Sequence, residues 1–272
     1  MTLPAANFED RVVAAAAAGL DAVGYHHKHY RRDVRAGATD AELVAIAAAN
    51  GIQVTEVEAV HGVLEQDSRR KVVDFFDRVL TLGALFGARH MIVHSEFDGN
   101  NELAADRFGR LCDRAAPYDI RVGLEFVPWT TLPDLATALR VVRAAGRVNG
   151  GVVLDAWHFF RGRADIDEVT SLRPGELVAV QLTDGLPRPG MDPMVETLTM
   201  RREPGRGTFP LDRLVTALSH HPDVQWSIEV IYPELDALAP ATAAGQVADA
   251  CRRLLGSESE SGPRRGQGPY RP

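Results

Sequence analysis

Apolar and polar positions along the chain switch repeatedly between two periods. Stretches with apolar residues every three or four positions alternate with short β-branched runs, as in helices that follow strands. The helical pattern covers residues 8–18, 40–49, 69–86, 103–116, 132–145, 166–171, 211–219 and 241–255. The strand pattern covers 20–25, 52–60, 90–94, 121–127, 151–155, 177–182 and 224–230. Asn7 is placed to cap the first helix, and Gly19 and Asn50-Gly51 to end the first two.

This alternation predicts an α/β fold with a parallel sheet. A (β/α)₈ TIM barrel needs eight strands, and the pattern supplies seven. Only residues 1–6 precede the first helix. The expectation is therefore a barrel with a short or truncated first strand, either a stub near Thr2-Leu3 or a start farther upstream. An open doubly wound sheet is the competing topology, but the glycine-rich first turn of a dinucleotide site is missing. Residues 1–255 read as the catalytic domain. Residues 256–272, rich in Ser, Glu, Gly, Arg and Pro, read as a disordered tail.

Composition narrows the function. The chain has 272 residues, of which 45% are hydrophobic and 25% charged, with net charge −7. The acidic balance argues against nucleic acid as a partner. No apolar run approaches the ~20 residues that cross a bilayer, and no signal peptide is evident, so a cytoplasmic location is expected. Cys112 and Cys251 have no CxxC partner, which argues against a disulfide scaffold or a thiolate zinc site.

The late strands share an informative feature: each apolar run ends on an oxygen-bearing side chain. Val122-Gly123-Leu124 runs into Glu125, Val152-Val153-Leu154 into Asp155, Val178-Ala179-Val180 into Gln181, and Trp226-Ser227-Ile228 into Glu229. In a barrel these C-terminal ends converge on one face, where catalytic groups collect. Three carboxylates gathered in a cleft repel one another unless a cation neutralises them. The oxygen-only set Glu125, Asp155, Gln181 and Glu229 suits one divalent ion, Mn²⁺ or Mg²⁺ before Co²⁺ or Zn²⁺.

These segments resemble the xylose-isomerase-like barrel superfamily of sugar-phosphate isomerases and epimerases. The matching motifs are Leu-Glu-Phe-Val-Pro around Glu125, Leu-Asp-Ala-Trp-His around Asp155, Val-Gln-Leu-Thr-Asp around Gln181 and Ile-Glu-Val around Glu229. Residues 15–23 and 49–54 are also similar. The resemblance implies that Glu125, Asp155 and Glu229 bind the metal and that His158 contacts a substrate oxygen. It also implies that Glu125 and Glu229 exchange a proton with the substrate through a metal-stabilised enediolate. The third ligand of that superfamily is often His in an H-x-x-D motif. Gln181, with Asp184 after it, is instead similar to the dehydroshikimate-dehydratase-like branch. That difference brings in dehydration of a 3-dehydroshikimate- or inosose-like ring as the second reaction. Arg202, in Arg202-Glu203-Pro204-Gly205-Arg206-Gly207, resembles a substrate-closing loop and is expected to hold a substrate oxygen or anion.

Further candidates come from position alone. His94 ends a strand on the same rim and is expected to act in catalysis. Glu58, His26, Trp129 and Asp184 are expected to line the substrate site, with the run Tyr25-His26-His27-Lys28-His29-Tyr30 as a pocket loop. The expected ligand is a small polar polyol or keto acid, and a homodimer is an expected assembly. Three readings compete with catalysis of this kind. A DNA-repair role on this barrel needs more histidine and a basic groove. A non-catalytic scaffold has no evident reason to hold the acidic quartet together. A partner-dependent subunit would use another chain to cover the barrel edge left by the short first strand.

Overall fold

The computed structural model describes residues 2–65, 69–96, 100–163, 165–187, 190–222 and 224–256. Of the expected tail, residues 256–272, Gly256 instead ends the last helix, and residues 257–272 lie outside the described residues. Seven parallel strands form one sheet: β1 (Ala22–His26), β2 (Gln53–His61), β3 (His90–His94), β4 (Arg121–Glu125), β5 (Gly150–Asp155), β6 (Leu177–Leu182) and β9 (Gln225–Ile228). They neighbour one another in chain order, and the sheet nearly closes into a barrel. A two-residue antiparallel pair, β7 (Asp184–Gly185) and β8 (Arg201–Arg202), sits in the loop after β6.

The helices are α1 (Phe8–Ala17), α2 (His27–Arg35), α3 (Asp40–Ala49), α4 (Arg69–Phe86), α5 (Asn101–Ala115) and α6 (Leu135–Ala145). They continue with α7 (Ala156–Arg161), α8 (Ile166–Thr170), α9 (Pro193–Thr199), α10 (Leu211–Leu218), α11 (Pro233–Asp236) and α12 (Pro240–Gly256). Side chains cap several of them. Asn7, Asn100 and Asp134 each accept a backbone N–H of the first turn, and Thr39 with Glu42 forms a capping box. The helices cover the outside of the sheet and bury one large apolar core against it. A separate small cluster of Ile92, Val153, Val178 and Ala179 packs between strands. It leaves no spare room, since a Cβ on Gly123 would lie 2.5 Å from Val153 Cγ2.

No described residue supplies an eighth strand between β9 and β1. The expected stub near Thr2-Leu3 does not form a strand, because Leu3 turns away at φ 58°. Thr2 bonds with its side chain instead: its hydroxyl donates to Ile228 O (2.9 Å) and accepts from Val230 N (3.1 Å). Buried Arg11 fastens the segment to α1, with Nε donating to Leu3 O (3.2 Å) and Nη2 to Ala6 O (2.9 Å). A cavity of about 290 Å³ opens along this seam, lined in part by Thr2, Gly24, Glu58, Gln181 and Ile228.

The histidine run departs from the expected loop. His26 ends β1 and caps α2, its Nδ1 accepting from Lys28 N at 3.0 Å. The capping bond turns the remaining residues of the run into a helix. Helices α7 and α9 are likewise additions to the expected pattern, and both frame the rim at the C-terminal ends of the strands.

Candidate metal and acid–base centre

Strand register brings the rim residues together in neighbouring pairs. His94 stands beside Glu125, and Asp155 beside Gln181. Glu229 follows β9, its backbone N–H bonded to Leu182 O at 3.0 Å. Asp155 also caps α7, accepting Trp157 N at 2.7 Å. That cap fixes where the helix starts, and its first turn returns His158 over the same rim. His158 Nε2 lies 3.6 Å from Asp155 Oδ2 and 3.8 Å from Glu125 Oε1. Glu125, Asp155 and His158 each offer a ligating atom within 4.8 Å of the other two, and all three residues are buried.

The electrostatics follow from burial and pairing. Burial pushes the Asp155 carboxyl above its ordinary range, only partly opposed by the charges of Arg201 and His158. Burial acts the same way on Glu125, but His94 Nδ1 at 2.8 Å outweighs it and holds Glu125 low. The same contact overcomes the desolvation of His94 and raises that imidazole. Burial lowers His158 despite the nearby carboxylates, which favours its neutral form. His61 stacks on His94 with ring centroids 4.5 Å apart and planes within 2° of parallel.

The basic partner is Arg201, a residue that no sequence motif singled out. It is fully buried and grips Asp155 with two bonds, Nη1 to Oδ1 at 3.1 Å and Nη2 to Oδ2 at 2.7 Å. Nη1 also donates to Glu229 O at 3.3 Å and lies 3.8 Å from Glu229 Oε2. Desolvation opposes its charge, but Asp155 and Glu229 raise its pKa above the usual value. Arg202, the residue expected to hold the substrate, is turned away. Adjacent residues of a strand point to opposite faces, and here Arg202 lies over the Tyr232 ring, 4.4 Å from its centroid. The signal for choosing Arg201 was that alternation across an Arg-Arg pair.

Asp184 is a second correction. It is buried and faces its own loop. Oδ1 accepts from Gly185 N (2.8 Å) and Phe209 N (3.0 Å), and Oδ2 from Gly205 N (3.0 Å) and Gly207 N (2.9 Å). Four backbone donors fill a carboxylate's acceptor sites, so Asp184 shapes the 201–209 loop and has no site left for substrate. Trp129 stands at the rim, its ring 5.2 Å from that of His158. Glu58 and His26 are buried and line the seam cavity, which also reaches Gln181. Burial and the surrounding carboxylates push Glu58 up to about 8.

The donor set fits a divalent ion. Gln181 Oε1 is buried with no hydrogen-bond partner among the described residues, an unusual condition for a polar atom unless a ligand completes it. Asp155 uses three of its four or so acceptor sites on Arg201 and Trp157 and keeps one on Oδ2. Among the described residues, no helix is long and apolar enough to cross a membrane.

The family model for the xylose isomerase-like TIM barrel matches residues 12–254. The chain belongs to the xylose isomerase-like TIM barrel family. A 3-dehydroshikimate dehydratase of Pseudomonas aeruginosa is 28% identical over 211 residues, covering 74% of this chain and 32% of that protein. An inosose isomerase of Halalkalibacterium halodurans is 31% identical over 112 residues, covering 40% of this chain and 38% of that one. The chain thus spans about a third of the length of these curated relatives. Among solved structures, IolI protein with a bound zinc atom superposes with TM-score 0.85 at 19% identity, covering 94% of this chain and 95% of the other. The curated relatives of this family member are enzymes by name, an isomerase and a dehydratase.

Proposed function

We propose that the chain is a divalent-metal-dependent enzyme of the isomerase or epimerase type, acting on a small hydroxyketone or keto polyol. The observation that carries this reading is the meeting of Glu125, Asp155 and His158 beside the unpartnered Gln181 Oε1. Glu125, Asp155, Gln181 and Glu229 would hold the ion, Mn²⁺ or Mg²⁺ by their oxygen donors, with Zn²⁺ or Co²⁺ as alternatives. When bound, the ion supplies Lewis-acid polarisation of a carbonyl and so acidifies the neighbouring C–H.

The chain's own groups do the rest. Glu125 and Glu229 flank the β5–β6 pair and would reach a substrate carbon from two sides, one taking the proton and the other returning it. His94 keeps Glu125 ionised, as a base requires. His158, neutral and close to Asp155, is suited to bond a substrate oxygen. Arg201 fixes the orientation of Asp155 and adds positive charge where oxyanion character develops. Trp129 supplies an apolar wall at the mouth.

A second reading, dehydration of a cyclic hydroxyketone, is favoured by the dehydratase match over 74% of the chain. In that case His94, the raised imidazole, would protonate the departing hydroxyl, with His158 bonded to a substrate oxygen. One experiment tests both. Metal content is measured on the purified chain and on Asp155→Ala and Glu229→Ala. The chain is then incubated in D₂O with inososes and 3-dehydroshikimate, with each metal in turn. One ion per chain, lost in both variants, with deuterium entering beside the carbonyl, is the expected result. Loss of water with a new conjugated absorbance selects the dehydratase reading. Absence of binding for Mn²⁺, Mg²⁺, Co²⁺ and Zn²⁺ alike refutes the metal reading.

A further inference from the structure

A second crevice lies between α4, α5 and the segment that follows β2. Its volume is about 270 Å³, and its walls include Val63, Val72, Val73 and Leu111. Into it comes Arg107 of α5, which is nine-tenths buried. Nη1 of Arg107 donates to Leu64 O. Nε and Nη2 are buried and have no partner among the described residues. A buried guanidinium with two unmet donors is costly, because each lost its water without a replacement. Those two N–H groups lie on one edge of the guanidinium, the edge that binds both oxygens of a carboxylate or phosphate side by side.

The crevice also limits the ligand's charge and shape. Arg107, Arg110 and Arg114 line it with Glu65 and Asp106, which leaves one net positive charge. Arg110 and Arg114 are already engaged, with Asp106 and Asp77 respectively. A dianion would therefore meet two carboxylates and gain little from the outer arginines. The four apolar walls suit a short hydrocarbon body behind the anionic head. We propose that this crevice binds a small organic monocarboxylate, its head on Arg107 Nε and Nη2 and its apolar body against Val72, Val73 and Leu111.

The crevice is wired to the rim through its roof, the segment after β2. Gly62 N donates to His94 O at 3.0 Å, and Leu64 N to Ser95 Oγ at 2.8 Å. Leu64 is also the residue whose carbonyl Arg107 holds. An occupant would brace the segment that anchors the end of β3, where His94 meets Glu125.

The test is calorimetric titration and thermal denaturation of the full chain with butyrate, inorganic phosphate and 1-butanol as probes. Saturable binding of butyrate at one site is expected, with phosphate and 1-butanol at least tenfold weaker. Arg107→Lys, which keeps the charge but loses the fork, should weaken butyrate at least tenfold. Val73→Trp, which fills the crevice and leaves Arg107 intact, should abolish binding. In the wild-type chain, NOEs from the butyrate methyl to Val72 and Val73 methyls locate the ligand even if a variant fails to fold. No saturable binding of butyrate overturns the proposal, as does tighter binding of phosphate. Binding that survives both substitutions, or NOEs to other residues only, also overturns it.

Discussion

Replacing Arg201 by Met isolates the buried ion pair at the centre of the rim. Asp155 has no exposed surface, and Arg201 supplies two of its three hydrogen bonds. The substitution leaves the carboxylate with Trp157 N and with His158 Nε2, 3.6 Å away. Removing one partner of a buried pair costs about 3–5 kcal/mol. At roughly 2–4 °C per kcal/mol for a domain of this size, Tm should fall by roughly 6–20 °C. The loss should depend on pH. Burial already raises Asp155, and without Arg201 it rises further. A carboxyl with a raised folded pKa favours folding while protonated, and loses that contribution as pH climbs through the folded value. The deficit of Arg201→Met should therefore be larger at pH 8 than at pH 5. Asp155→Asn combined with Arg201→Met should recover part of it, since no charge is then stranded. The assay is urea unfolding of the two variants and wild type at both pH values, with a chelator present. A deficit below about 1 kcal/mol, or one equal at the two pH values, would refute the reasoning.

Gln181→Leu should lower divalent-metal affinity at least tenfold while changing stability by less than ~1 kcal/mol, because Oε1 has no bond to lose; titration calorimetry and urea melts separate the two effects. Asp184→Ala strands four backbone donors and should cost about 3–5 kcal/mol, with hydrogen exchange rising at Gly205, Gly207 and Phe209. His94→Gln tests the imidazole–carboxylate contact by its pH dependence. Desolvation works against the charged ring, but Glu125 wins and raises His94. The stability it adds is complete below pH about 6.5 and is lost as pH rises through the elevated folded value. The wild-type advantage over His94→Gln should shrink across that interval in denaturant melts.

The parts of the fold visible in the sequence were those set by periodicity. Strands such as His90–His94 and Leu177–Leu182 are short apolar runs between long amphipathic helices, and they emerged with the expected bounds. Elements set by a single side-chain bond were invisible. Helix α2 depends on His26 capping Lys28 N, and α7 on Asp155 capping Trp157 N. Neither bond leaves a periodic trace. The same division holds at the rim. Glu125, Asp155, Gln181 and Glu229 stood out because each ends an apolar strand, so their neighbourhood followed from topology. Arg201 and Arg202 lie on a two-residue strand inside a loop. Their facing is decided by pairing with Asp184–Gly185, a contact across the loop that local pattern does not reveal. Asp184 looked like a rim acid for the same reason, since only the folded 205–209 backbone shows what it binds.

The hydroxyl of Thr2 ties the N-terminal segment to the end of β9 across 226 residues of chain. Every other strand contact in the sheet joins neighbours in sequence order. The strands can therefore assemble progressively as an open, curling sheet, and the seam is the one junction that must wait for both ends of the chain. Closing so long a loop brings a large entropic penalty and little backbone bonding in return. The seam is thus where the barrel is expected to finish folding and to open first.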